Sequence, residues 1–161
     1  MKYRRLTNDE LKELEPEFVR VLSLLSIPAE DWERMKTQDP DRVELLIEDF
    51  SDAIYAKILR DVKYLEHRSP KELRTFFFTA EKAFMLAIQV DGHSDVDFTK
   101  DQKPEEMLRL IQQSGASLRL HQAEKTYKEE REIEIFRLLQ IGALISRDGA
   151  LYDLLSELRP S

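Results

Sequence analysis

A chain of 161 residues that is 42% hydrophobic and 35% charged can bury a core without disulfides or metals, and it does not have the composition of a disordered segment. It has no cysteine, which excludes disulfides, zinc–thiolate sites, iron–sulfur clusters and thiol nucleophiles. With 25 basic against 32 acidic residues the formal charge is −7, which repels a phosphate backbone and disfavours a general nucleic-acid binder, although a local basic patch stays open.

The opening "MKYRRLTNDELKEL" is basic but no apolar run follows it, so no signal peptide is expected. Thr7 and Glu10 have the spacing of a capping box, with Leu6 and Leu11 placed as a hydrophobic staple. Pro16 either kinks this helix or starts a second one, whose apolar positions Phe18, Val19, Leu22 and Leu25 run as far as Ile27–Pro28. "PAEDWERMK" reads as a short helix with acids at its positive end. Asp39–Pro40 then starts the clearest helix of the chain. Its apolar face is Val43, Leu46, Ile47, Phe50, Ile54, Ile58 and Leu59.

The pattern then changes from helical to extended. "VKYLEHRS" is compatible with a strand, and "RTFFFT" and "KAFMLAIQV" form a hairpin across the short link Ala80–Glu81. In this hairpin Phe76 and Phe78 should face the core, leaving Phe77 for an interface or a second layer. "QVDGHSDVDFTKD" reads as an acidic connector. Lys103–Pro104 opens a helix that Gly115 ends, and residues 120–145 read as one longer helix with a charged middle stopping near Gly142. In that helix Glu124 would pair with Lys128, while Glu130 and Glu134 would repel. A short helix after the Asp148–Gly149 turn closes the chain.

The expected fold class is therefore α+β: N-terminal helices packed on a small antiparallel sheet with its hairpin at about 73–90, followed by C-terminal helices. A single domain, 1–161, would divide into helical residues 1–62, strands in 63–91, an acidic loop 92–103 and helical residues 104–158.

Candidate chemistry is sparse. Asp91, His93, Asp95 and Asp97 alternate, and carboxylates with an imidazole could hold a cation, but the order of a calcium loop and the H-E-x-x-H spacing are both missing. Gly92 and Ser94 among them are turn residues, so a solvated connector with diverging side chains is the preferred reading. His67, His93 and His121 lie in separate segments, and Glu66 beside His67 would point to the opposite face of a strand. With 4 glycines and no G-x-S-x-G, P-loop or dinucleotide motif, neither a nucleophile elbow nor a phosphate cradle is in sight. The basic residues Arg68, Lys71 and Arg74 beside three phenylalanines imitate a single-stranded RNA platform without its signature.

The opening "MKYRRLTNDELKELEPEFVRVLSLLSI", with "DWERMK", "IEDFSD" and "YLEHRSP" downstream, resembles an uncharacterised bacterial domain-of-unknown-function family. The resemblance covers roughly the first 70 residues, is weaker through the hairpin and resumes at "LLQIGALISRDGALYDLL". It implies a small, stand-alone cytoplasmic bacterial protein and brings no cofactor or catalytic residue with it. The best-matching part holds Tyr3, Arg4, Arg5, Trp32, Asp52, Tyr64, Glu66 and Pro70. Tyr3, Arg4, Arg5, Trp32, Tyr64, Glu66 and His67 are accordingly the candidate ligand-binding residues, with capping and packing as their plainer roles.

The sequence favours a non-catalytic intracellular interaction or regulatory module whose partner is another protein or a second copy of itself. Two alternatives stand: a small metal-dependent or hydrolase-like enzyme using Glu66, His67 and the acids at 91–97, and an RNA-associated factor using the basic stretches. The longest apolar runs, "FMLAI" and "VLSLL", fall far short of the roughly 20 residues a bilayer span needs. No membrane partner and no cofactor are expected.

Overall fold

A computed structural model describes residues 1–91, 95–113 and 117–159. Within it the chain resolves into two compact units, Met1–Arg60 and Asp61–Ser161.

The first unit is helical: α1 (Asn8–Glu13), α2 (Glu15–Leu24), α3 (Ala29–Gln38) and α4 (Pro40–Asp61), whose last residue already lies in the second unit. The capping box forms as expected, Thr7 accepting from the Glu10 amide (3.2 Å) and Glu10 from the Thr7 amide (2.9 Å). Pro16 turns out to sit in the first turn of a second helix, where a missing amide costs no hydrogen bond. On α4, Val43, Ile47, Phe50 and Leu59 are buried, but Ile58 is 44% exposed, so the apolar face is narrower than its spacing suggests. The buried Ser51 fills the gap in that face. It returns its proton to the Ile47 carbonyl (2.7 Å) and accepts from the Leu6 amide (2.9 Å), tying the extended N-terminus to α4.

The second unit is built on a five-stranded antiparallel sheet. Its strands are β1 (Tyr64–Ser69), β2 (Glu72–Phe78), β3 (Lys82–Asp91), β4 (Ser117–Thr126) and β5 (Leu144–Ser146), in the order β4-β3-β2-β1-β5. Its helices are α5 (Pro104–Gln113), α6 (Arg131–Gln140) and α7 (Ala150–Glu157). The hairpin is where the sequence places it, and Thr79 shapes its turn by accepting from the amides of Glu81 (3.3 Å) and Lys82 (3.0 Å).

The expected long helix over 120–145 is instead a strand, a helix and a short strand. Every residue of β4 is matched against β3, from Ser117↔Asp91 to Thr126↔Lys82, and only Leu120 along it is more than slightly covered. A strand this exposed carries almost no apolar period, and what decides its state is the free edge of β3 beside it. The charge pairs change accordingly: Glu124 meets Lys82 across the strands at 3.9 Å, and Glu134 meets Lys125 at 2.8 Å.

Register sorts the side chains onto two faces. One face carries Leu73, Leu86, Ile88 and Val90, which form a core with Val96, Phe98, Met107 and Ile111 and with Leu151 and Leu155 of α7. Phe77 lies on this face too. It stacks on Tyr64 (5.1 Å) and on Phe84 (6.0 Å), with Tyr152 of α7 at 5.7 Å, so it belongs to a second aromatic layer. Gly149 begins α7 with φ +66°, and a Cβ there would come within 2.7 Å of the Tyr64 ring. The other face carries Leu65, Phe76, Phe78, Ala83, Met85 and Ala87, and α6 lies along it. Phe78 is buried as expected, and Phe76 only half so.

Two helices end the same way with different residues. α6 closes in a Schellman motif, Ala143 N–H to Leu138 C=O (3.0 Å) and Gly142 N–H to Leu139 C=O (3.2 Å), with glycine at positive φ. α2 repeats it through Ile27 to Leu22 (2.9 Å) and Ser26 to Ser23 (3.0 Å), but there an exposed serine holds φ +59°. Ser26→Gly should therefore raise unfolding stability by about 0.5–1 kcal/mol in urea melts, since the left-handed conformation costs glycine nothing. No gain would mean that the serine is unstrained.

A second outcome concerns pH. The Arg4 guanidinium grips Glu10 through two bonds (2.9 and 3.1 Å), and with the Thr7 amide it holds the Glu10 carboxyl down at about 2, from an ordinary 4.5. A carboxyl whose folded pKa is depressed stabilises the fold above its unfolded pKa and loses that contribution as pH falls. The stability gap between wild type and Glu10→Gln should be full above pH 4.5 and close toward pH 2. A gap unchanged across that window in a pH series of urea melts would contradict the pairing.

Candidate functional site

The residues singled out in the sequence are distributed over both units. Tyr3, Arg4 and Arg5 come together in the first. The amides of Lys2 and Tyr3 donate to the two oxygens of Asp52 (2.8 and 2.9 Å), Arg4 lies on Glu10 and over the Tyr55 ring (5.2 Å), and Arg5 forms a two-bond pair with Glu44. Every cation of the opening stretch beyond Lys2 thus meets an internal carboxylate. Trp32 packs edge-on against Phe18 (5.1 Å) beside α2.

In the second unit Tyr64 belongs to the aromatic layer, and Glu66 holds Arg68 through Nε (3.1 Å) and Nη2 (2.9 Å). His67 lies on the opposite face from Glu66, close to Gly142, and the two do not form a pair. The basic run that imitates an RNA platform is likewise occupied: Arg74 binds Glu72 (2.7 Å), and Lys71 donates to the Val96 carbonyl (2.6 Å).

The acidic connector separates in the same manner. Asp91 accepts two bonds from Arg119 of β4 (2.7 and 3.0 Å). Asp97 accepts from the Thr99 amide (2.9 Å) and hydroxyl (2.5 Å), bonds that pull its carboxyl below the usual range. Asp95 is exposed, and His93, with Gly92 and Ser94, lies outside the described residues. Among the described residues no three acids or histidines gather as metal ligands.

What the structure assembles instead is a groove. Its floor is the β2–β4 part of the sheet, with Phe76, Phe78, Met85 and Ala123, and its wall is α6, with Leu138 and Ile141. It offers about 440 Å³, within the range of recognition pockets for small groups. Ile141 on its rim is 69% exposed. The β4–α6 connection fixes the wall: the Tyr127 hydroxyl points at the carbonyls of Thr79 and Lys82 (2.7 and 2.9 Å). Arg131 donates to the Thr79 carbonyl (3.1 Å) and to that of Val62. Both anchors clamp the start of α6 to the hairpin turn.

One polar group lines this groove from the helix at depth. Glu134 is 11% exposed at its side chain. Its Oε1 takes the Lys125 ammonium at 2.8 Å, while its Oε2 is buried and has no hydrogen-bond partner among the described residues. A buried acceptor without a partner is costly. Glu134, Leu138 and Ile141 form one helical stripe, so an acid within an otherwise apolar stripe was the available signal. Read as part of a solvated helix, it passed as one charge among many.

Fold and groove define a mixed helix-and-sheet protein with an open apolar cleft flanked by an edge strand. Residues 1–159 match the model of a family of unknown function, DUF6495, and the chain belongs to that family. The match takes in the hairpin and the groove as well as the opening segment on which the resemblance was read. No curated protein and no solved structure matches it.

Glu134→Met should stabilise the fold by about 1 kcal/mol, or roughly 3 °C in Tm, because it removes the unpartnered oxygen and keeps the volume and the helix propensity. Lys125, 57% exposed, loses little by returning to water. A melting temperature lowered by this substitution would show that the carboxylate is structurally required.

Proposed function

We propose that this protein is a non-catalytic interaction module that recognises an apolar group in the groove between α6 and the sheet. The observation that carries this reading is the groove itself: an apolar floor and wall, an exposed rim at Ile141, and one buried carboxylate with an open acceptor. Convergent apolar surface with few polar groups is the composition of a recognition site. Of the residues of the enzyme alternative, Glu66 and His67 face apart and Asp91 and Asp97 are held by other partners; of the cations of the RNA alternative, Arg4, Arg5, Arg68 and Arg74 are paired with carboxylates. The family match spans both units, which supports treating 1–161 as one functional domain. Among the described residues no helix is long and apolar enough to cross a membrane.

A screen of neutral aromatic fragments, followed by methyl NMR of the full chain, tests the site. Shifts should cluster at Met85, Ala123 and Leu138 with affinities on the order of 1 mM. Ala123→Trp, which fills the groove from an exposed strand, should abolish them while circular dichroism stays unchanged. Leu138→Ala, which only widens the wall, should change the set of fragments that bind. Shifts scattered over the surface, or insensitive to Ala123→Trp, would remove the groove as a recognition site.

A further inference from the structure

We infer that the occupant of this groove is an extended peptide segment of a partner protein, apolar and basic in alternation, which adds to the sheet as a sixth strand beside β4. The inference rests on the groove reading and names its ligand class. Three independent observations converge on it.

First, β4 is an outer strand with Ser117–Thr126 fully paired to β3 on one side. No backbone hydrogen bond from any described residue reaches its other side. Its row of outward amides and carbonyls is a template for one more strand.

Second, depressions flank the same stretch of β4 on both faces of the sheet. Ala123 and Lys125 border the apolar groove under α6. Gln122 and Glu124, which point the other way, border a more polar hollow with Tyr152 and Arg159. A strand laid along residues 122–125 sends successive side chains alternately toward these two places. Main-chain bonds then supply affinity, and the alternate hollows supply selectivity.

Third, Lys125, on the groove side of β4, is bonded at 2.8 Å to Glu134. A basic side chain on the incoming strand shares that carboxylate and satisfies the buried Oε2. The formal charge of −7 favours the approach of such a segment.

A second copy of this chain meets opposition in two of the central registers. Two β4 strands paired antiparallel about Gln122 set Arg119 against Lys125 of the copy, twice over. Paired about His121, they set Leu118 against Glu124.

The test is selection of random ten-residue peptides displayed on phage against the immobilised full chain, followed by calorimetry with synthetic copies of those recovered. Enriched peptides should alternate apolar and basic residues and bind about tenfold more weakly to Glu134→Gln. The β4 amides should gain protection from hydrogen exchange on binding, and N-methylation of alternate peptide amides should abolish it. Peptides that need the groove, as judged by Ala123→Trp, yet leave β4 exchange unchanged and ignore Glu134→Gln would overturn strand addition and keep the groove reading. Peptides that bind Ala123→Trp as tightly as wild type, with no fragment shifts in the groove, would overturn both. Concentration-dependent dimerisation protecting β4 without peptide would assign the edge to a second copy and also overturn the inference.

Discussion

β3 is apolar on both of its faces, and most of the second unit follows from that constraint. Leu86, Ile88 and Val90 point one way and Ala83 and Ala87 the other, and all five are buried. A strand of this kind needs a layer on each side and a neighbour along each edge. β2 and β4 supply the edges. α5, α7 and the segment carrying Val96 and Phe98 supply one layer. The other layer falls to α6, which runs from the end of β4, at one edge of the sheet, toward β5 at the other. A helix of 10 residues spans about 15 Å and leaves part of the face beside it uncovered. The groove is that uncovered part.

Charge in this protein works mostly inward. The basic opening stretch binds the acids of α1 and α4, Arg68 and Arg74 bind glutamates two residues away on their own strands, and Arg119 binds Asp91 across the ladder. Such pairs contribute little individually when exposed. Their collective consequence is that many cations of the surface are already matched by neighbours, leaving an excess of negative charge. Glu134 departs from the pattern because the oxygen its pair leaves over is buried.

The elements that local chemistry specifies were legible in the sequence. The capping box at Thr7 and Glu10, the proline start of α4, the hairpin turn and the Asp148–Gly149 entry to α7 each depend on residues within a few positions of one another, whereas Pro16 left a kink and a new helix equally open. β4 was not legible: its charges fit a solvated helix equally well, and only the open edge of β3, distant in sequence, decides between the two states. The groove was hidden for the same reason, since its floor comes from three strands and its wall from a helix misjudged in extent. The alternating acids drew attention because they are adjacent in sequence. In the fold Asp91 serves the sheet and Asp97 a local turn.

An outer strand as long as β4 is an aggregation hazard, and the usual remedy is to place charges along it. β4 carries Arg119, Glu124 and Lys125 there, whereas β5 at the other edge is only 3 residues long. Shortness alone protects β5, even though Leu144 and Ile145 are exposed. Charges along a long outer strand oppose indiscriminate pairing while its backbone groups stay open on that side. The buried carboxylate beside Lys125 has the same logic. An acceptor buried without a partner costs stability, and a cation placed beside it would recover that cost.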